Sequence, residues 1–478
     1  MSTIRRRLDS LEAYPSWFFV RLLLLSGFSW SLNAAEYALY TLARRRVSKS
    51  VHMTTVAVES LGGGLFIGAV VGAPLFGHIA GIKGRRWALL LAKTLSLLGL
   101  VLSVMARRDV ELISARILAG IGFGGELPVV TVLVHELTPK SMRSRVVALL
   151  HTFTGVGGIV GVALALMLEP RFGWRAAYLV LSGSIFCVGV LFYLLPESPR
   201  WLASSGRMPE AIQEVETLER AHRTRMIYDR AMVHDVSSLV TEDLETSVEI
   251  VKPSGHDSTV RLWTMWIVME LSGYALGVYV PVLISLWGFN MFSRWTTMVL
   301  LCFAQVAGSV LASMMLEEVG LKKLLFRCAA SAALIVVILT HSPSNGPAVV
   351  IGTCAVSALL AASWSCVLVY APANFSTEAR GRGVGYAFGF SRLGAVIGAW
   401  LYPRMFNVWR MSVPAVAWVF AVLLVMVVLW VGLPVEHSNM APKVGGLPDD
   451  DKTGSKIKLL IDERESPALL GRSHNKNE

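Results

Sequence analysis

The chain has 478 residues, 54% of them hydrophobic and only 16% charged, and Lys plus Arg outnumber Asp plus Glu by 44 to 33, for a net charge of +11. Soluble domains carry roughly 25% charged residues, so this composition, with a mean hydropathy of +0.57, excludes an ordinary soluble enzyme. The basic excess belongs beside anionic lipid rather than on nucleic acid, for which no binding pattern is present.

Residues 1–16 form a short N-terminal segment with Arg5, Arg6 and Arg7, expected on the cytoplasmic side. The apolar run that follows is too long for a cleaved signal sequence and is read as a retained first span. A membrane helix needs roughly 20 mainly apolar residues. Runs that meet this fall near 18–42, 56–80, 87–106, 110–134, 145–168 and 176–195. A second set falls near 261–287, 295–316, 324–340, 347–371, 383–403 and 413–433. The expected fold is an all-α polytopic membrane protein with twelve transmembrane helices in two pseudo-symmetric six-helix bundles. The bundles are predicted at 17–195 and 261–433, joined by a polar cytoplasmic loop over 196–260 that holds a helix near Glu210–Arg225. A polar cytoplasmic tail over 434–478 is expected to be disordered. Cys187, Cys302, Cys328, Cys354 and Cys366 lie in apolar stretches without CxxC spacing, so neither disulfides nor a metal site is predicted.

The two halves repeat. Arg143 and Arg380 are 380 − 143 = 237 residues apart, and the same offset relates Arg145 to Arg382, Gly157 to Gly394 and Gly161 to Gly398. Parallel repeats of this kind describe a carrier that rocks two bundles about a central site.

Gly77 to Arg86, with Gly81, Ile82, Gly84, Arg85 and Arg86, forms a Gly-rich basic loop after the second span. Pro196-Glu197-Ser198-Pro199-Arg200-Trp201-Leu202 follows the sixth span, and Gly206-Arg207 follows shortly after. Arg116 to Pro128 carries Gly120, Gly122, Gly124, Gly125 and Glu126 in the fourth span. Together these strings resemble the major facilitator superfamily, in its sugar-porter and organic-ion branches, including synaptic-vesicle-glycoprotein-like carriers and bacterial nicotinate or aromatic-acid carriers. Ser391-Arg392-Leu393-Gly394 resembles the eleventh helix of the same organic-ion branch. The resemblance covers roughly residues 8–435. Gly81 and Ile82 stand where that pattern has Asp and Arg, and Asn33 stands where related carriers have the first of two acids.

Ionisable groups deep in a membrane helix cost on the order of 2.5–3.5 kcal/mol each, so they mark function. The substrate and proton candidates are Asn33, Glu36, Glu126, Glu270 and Arg392. Glu36 is the first choice for carrying a proton. Arg392 matches a carboxylate bidentately; the alternative is an ion pair with Glu270 or Glu36. Arg116 is read as structural, and His151 as a hydrogen-bonded core histidine or a proton relay. Tyr37, Tyr40, Trp266, Tyr274, Trp364 and Tyr370 are pocket or packing aromatics. Gly84, Arg85, Arg86, Glu136, Arg143, Glu197, Arg200 and Arg380 are expected to form a cytoplasmic gate, latched by salt bridges that break when the carrier changes state. Gly64, Gly68 and Gly72, like Gly385 and Gly389, have the spacing of close helix packing.

The GxGxxG match at Gly120–Gly125 lies inside an apolar helix and is no dinucleotide site. Pro139 stands where a zinc protease motif starting at His135-Glu136 needs its second His. No catalytic residues and no metal are predicted, and the proton is the one coupling ion considered. The expected function is alternating-access transport of a small organic solute across the bilayer, as a proton-coupled organic anion. The alternatives are a sugar-type facilitator or a non-transporting receptor or sorting protein. Glu465 to Leu470 fits an acidic dileucine signal for a sorting adaptor, relevant in a eukaryotic cell. The sequence does not choose between plasma and endolysosomal membranes.

Overall fold

The computed structural model describes Ile4, Arg7, Leu8 and residues 17–53, 55–221, 260–274, 291–341 and 346–432. The dileucine stretch, the tail and the loop beyond 221 lie outside the described residues. All regular structure among the described residues is helical. Apolar side chains covering every face of a helix leave it no solvated side, so each long run becomes a buried or lipid-facing helix.

In the first half, α1 (Trp17–Ser50), α2 (Thr55–Lys83), α3 (Arg85–Met105) and α4 (Asp109–Leu137) run back and forth. α5 (Arg143–Leu150) and α6 (Thr152–Met167) make the next pass, interrupted at His151. There the His151 N–H bonds the carbonyl of Ala148, three residues back, tightening one turn. The short α7 (Glu169–Phe172) leads to α8 (Trp174–Ser182), which continues through a 3-10 turn at Gly183–Ile185 into α9 (Phe186–Leu194) as the sixth pass. α10 (Pro199–Ser204) and α11 (Met208–Ala221) follow, with Ser198 capping α10 through its hydroxyl. The second half comprises α12 (260–274), α13 (Met291–Val319), α14 (Leu321–His341), α15 (Gly346–Ala373), α16 (Thr377–Asn407) and α17 (Val413–Gly432). Each of the twelve expected runs thus falls on described helix, the seventh as far as residue 274.

Glycines set the helix spacing, because lipid offers helices no hydrophobic reason to associate and close backbone approach must do so instead. A Cβ on Gly68 or Gly72 of α2 would strike the carbonyls of Ile117 and Ile121 in α4. One on Gly120 or Gly124 of α4 would strike α2 at Leu65 and Ala69 in return. The second half repeats the device: Gly308 of α13 faces Ala358 of α15, with 308 − 72 = 236 and 358 − 121 = 237. Likewise Gly157 of α6 lies on Ser31 of α1, and its repeat-mate Gly394 of α16 lies on Ile267 of α12. The duplicated residues therefore perform the duplicated packing.

Candidate functional site

A cavity of about 210 Å³ lies between the two halves, walled by α1, α2, α4, α6, α12, α13, α15 and α16. Arg392 of α16 and Glu270 of α12 meet in it, Nη1 to Oε1 at 2.5 Å, with side chains 11% and 17% exposed. The Arg392 guanidinium also lies 5.5 Å from the Phe123 ring centre. Asn33 of α1 lines the same cavity and is buried, and its Nδ2 has no hydrogen-bond partner among the described residues. Asn33 and Glu270 are repeat-mates, since 270 − 33 = 237. The acid absent from the first half at that position is present in the second.

Aromatic layers bound the cavity on both sides. One turn nearer the α16 start, Trp30 and Trp266 close on Phe388, and Trp266 also meets Trp364, at centroid distances of 6.4, 4.7 and 5.4 Å. One turn in the other direction, Tyr37 contacts Phe66 and Phe66 contacts Tyr274, edge to face at 5.8 and 6.0 Å. His151 sits in the cavity wall beside Trp364, its Nδ1 3.0 Å from the Ser309 hydroxyl. Of the six aromatic candidates, Tyr37, Tyr274 and Trp364 line the cavity. Tyr40 instead covers Arg116, at 5.4 Å from its guanidinium. Tyr370 is half-buried, and its carbonyl accepts the Asn374 amide.

Glu36 is placed elsewhere. Asn33 and Tyr37, four residues apart, share the cavity face of α1, which turns Glu36 into the first half. There its Oε1 accepts from Arg116 Nη1 at 2.8 Å, with both residues buried. Glu126 is also internal to the first half. It accepts from Lys93 Nζ at 3.0 and 3.2 Å and from the Ser29 hydroxyl. The sequence reading passed over Lys93, although a lone lysine in the apolar run of α3 was the available signal.

The gate candidates gather at one end of the helices. Glu136, at the end of α4 and fully buried, accepts from Arg85 Nε at 2.9 Å and Nη2 at 3.1 Å. The same carboxylate accepts from Arg380 Nη1 of α16 at 3.0 Å and from the Ser198 hydroxyl at 2.7 Å. Arg85 reaches across as well, donating to the Thr377 carbonyl at 2.9 Å. One carboxylate thus ties two guanidinium groups from opposite halves. Glu197 accepts from the backbone N–H groups of Arg85, Arg86 and Ser198 at the start of α3 and α10. Burial pushes its carboxyl above the ordinary value, against the pull of those N–H groups. Gly84, with φ +104, lets the chain turn beneath Glu197, where a Cβ would collide with that carboxylate. Arg143 donates to the Thr138 carbonyl through Nε and Nη2. Arg200 is half-buried in α10. A second tie between halves, Arg145 to Glu317 at 2.8 Å, is exposed. Beneath them the backbones touch, since a Cβ on Gly385 of α16 would lie 2.6 Å from the Ala73 carbonyl of α2. These contacts join the two halves at this end.

Residues 20–440 match the family model for sugar (and other) transporters. The chain is 25% identical over 382 residues to the niacin transporter NiaP of Acinetobacter baylyi, covering 79% of this chain and 85% of that protein. It is 24% identical over 441 residues to the benzoate transport protein of the same organism, covering 88% and 92%. Its fold is similar to the solved structure of the major facilitator superfamily proton:xylose symporter XylE bound to 6-bromo-6-deoxy-D-glucose. That match has a TM-score of 0.72 at 19% identity and covers 88% of this chain and 97% of that one.

Proposed function

The chain belongs to the sugar (and other) transporter family of multi-pass membrane carriers, and from that premise we propose that it carries a small aromatic carboxylate together with a proton. The observation that carries this reading is the Arg392–Glu270 pair inside an aromatic-walled cavity. A carboxylate that takes the edge of Arg392 now bonded to Glu270 displaces that acid. A displaced carboxylate would be buried, unpaired and beside a second anion, an arrangement that costs several kcal/mol. Taking up a proton removes that cost. Anion and proton are then bound together, and the cavity keeps the net charge it had empty. The flat aromatic walls and the unpaired Asn33 amide suit a ring bearing a carboxylate. The names of the niacin and benzoate relatives point the same way.

Glu270 therefore replaces Glu36 as the first choice for the proton carrier. Glu36 is held by Arg116 away from the cavity, and it serves coupling only if that pair opens during the cycle. With one proton per anion no net charge crosses, so the pH gradient and not the membrane potential drives accumulation: one pH unit supplies about 1.4 kcal/mol, enough to concentrate a solute roughly tenfold. The Glu136–Arg380 and Arg145–Glu317 ties hold the expected cytoplasmic end shut and break when the halves rock. A sugar remains the second reading, because Asn33, Gln305 and Ser357 add neutral hydrogen-bonding groups to the wall.

The test is uptake into proteoliposomes of benzoate, nicotinate and xylose under an imposed pH gradient. Accumulation of the carboxylates, acid inside or out according to orientation, is the expected result, and Glu270→Gln abolishes accumulation against a gradient. Accumulation unaffected by Glu270→Gln but lost in Glu36→Gln returns the proton to Glu36. Xylose uptake without carboxylate uptake establishes the sugar reading, and absence of all flux favours a non-transporting role.

A further inference from the structure

A groove of about 890 Å³ opens on the flank of the first half, at the end where Glu136 and Glu197 gather. α3 and α9 form its walls, and the end of α2, α10 and Arg207 form its mouth. Its α3 wall runs from Trp87 to Thr94, which is 94 − 87 = 7 residues and so about 10 Å of helix. Along that length the wall is mainly apolar, whereas Lys83 and Arg207 stand at the mouth and no acid lines it among the described residues. At Gly189 of α9 an added Cβ would meet no described atom within 4 Å, so the groove is open there. Lys83 is exposed and makes no ion pair among the described residues. Arg207 gives Nε and Nη2 to Glu210, an exposed pair and therefore a weak one. Its guanidinium lies 5.8 Å from the ring centre of Trp201, which is buried and donates through Nε1 to the Gly81 carbonyl at 2.9 Å. Trp87 and Tyr193 are exposed beside these cations, as aromatics are at a membrane surface.

We propose that this groove is a binding site for an anionic phospholipid, its phosphate between Lys83 and Arg207 and an acyl chain laid along α3 past Gly189. The groove has the polarity of such a lipid in the same order, charge at the surface and hydrocarbon inward. Basic pockets between membrane helices at a cytoplasmic surface select anionic headgroups. A zwitterionic headgroup brings its own cation against Lys83 and Arg207. A second copy of this chain would bring the same two cations, and a soluble phosphate would leave the apolar length uncovered. The repeat supplies an internal comparison. At the offset that relates Gly72 to Gly308, Ile82 becomes Glu318 and Lys83 becomes Val319, since 318 − 82 = 236 and 319 − 83 = 236. At the offset of Gly157 and Gly394, Gly189 becomes Met426, since 426 − 189 = 237. The second half thus has an acid at the mouth position and a long side chain where the first half has none. Cations beside an open groove are a departure of the first half from the shared pattern.

The experiment titrates the full chain, in an uncharged detergent, with phosphatidylglycerol or with phosphatidylcholine of the same acyl chains, and counts bound lipid by native mass spectrometry. The expected result is at least about tenfold tighter binding of phosphatidylglycerol. Lys83→Gln/Arg207→Gln removes that preference. Gly189→Leu, whose side chain grows into the groove, weakens phosphatidylglycerol binding although both cations remain. Lys322→Gln/Lys323→Gln, at the matching end of the second half, keeps the preference. Equal binding of the two lipids by the unaltered protein overturns the inference. So does a preference that survives both groove variants, or one lost as fully in the Lys322/Lys323 variant, which marks a diffuse attraction to basic surface. Competition by glycerophosphoglycerol, the headgroup without its chains, at concentrations equal to the lipid also overturns it, in favour of a small-anion site. The lipid comparison and this competition use the unaltered protein, so they decide even if the variants fail to fold.

Discussion

Lys93 and Glu126 form an ion pair inside the first half, Nζ to Oε1 at 3.0 Å, with side chains 2% and 0% exposed. α3 supplies the lysine and α4 the acid, where Gly122 lets the two helices approach closely at Ala92 and Ser96. Breaking one partner of such a pair strands a charge, whereas removing both strands none. Lys93→Met is therefore expected to destabilise the protein by about 3–5 kcal/mol, and the double variant Lys93→Met/Glu126→Gln to recover most of that loss. Melting temperatures of the single and double variants in detergent give the comparison. Equal losses in the two variants would make the pair independent of its charges.

Glu136 ties Arg85 to Arg380 and so joins α3 and α4 to α16. Glu136→Gln keeps the shape and removes the charge. Backbone amides over residues 377–385 are expected to exchange hydrogen at least about tenfold faster in the variant, because opening of this end no longer has to separate a buried charge from two guanidinium groups. Unchanged exchange there would show that the Gly77, Gly381 and Gly385 backbone contacts hold the end shut by themselves.

Two glycines of α2 make opposite predictions. Gly72 lies against the Ile121 carbonyl, so Gly72→Leu forces α2 and α4 apart and is expected to abolish recovery of folded protein. Gly81 has nothing within 4 Å of an added Cβ. Gly81→Ala is expected to stabilise by roughly 0.5–1 kcal/mol, through helix propensity alone. Yield and melting temperature after purification separate the two.

Burial holds the Glu197 carboxyl above its ordinary value. A carboxyl raised in the folded state contributes stability that is fully present below its unfolded value, about 4.3, and is lost as pH rises through the folded value. The melting temperature should therefore fall across that window. Glu197→Gln, which still accepts the backbone N–H bonds, should remove this component of the fall. An identical pH profile in the variant would place the titration elsewhere.

Arg392→Lys keeps a positive charge but loses the planar fork that can hold a carboxylate at two points. Benzoate affinity is expected to drop by about tenfold, and Arg392→Ala to lower it further. Equilibrium binding in nanodiscs measures both.

Much of the fold was legible in one dimension. Length and hydropathy located the passes, since a bilayer thickness demands about 20 apolar residues whatever the partners. The shared offset of 237 announced the repeat, and Gly157 and Gly394 do pack their respective helices alike. The clustering of the gate candidates was legible too. Arg85, Glu136, Glu197 and Arg380 stood in helix-end motifs and meet there. The cavity was legible only in part. Glu36 and Glu270 looked alike as isolated acids in apolar runs, yet one is internal to a bundle and the other faces the cavity.

What the sequence alone determined is therefore whatever depends on a single helix: its length, its polarity, its small-residue faces and the charges at its ends. What the tertiary structure decided is which buried charge meets which. α1 does not segregate its polar and apolar residues to opposite faces, so no hydrophobic stripe says which side faces a neighbour. The packing of Gly157 and Gly161 onto Ser31 and Ala35, with the Trp30–Thr154 hydrogen bond, sets its rotation. That rotation turns Asn33 and Tyr37 to the cavity and Glu36 onto Arg116. In a membrane, where water cannot sort polar from apolar faces, the direction a charge points is decided by the neighbouring backbone that comes closest.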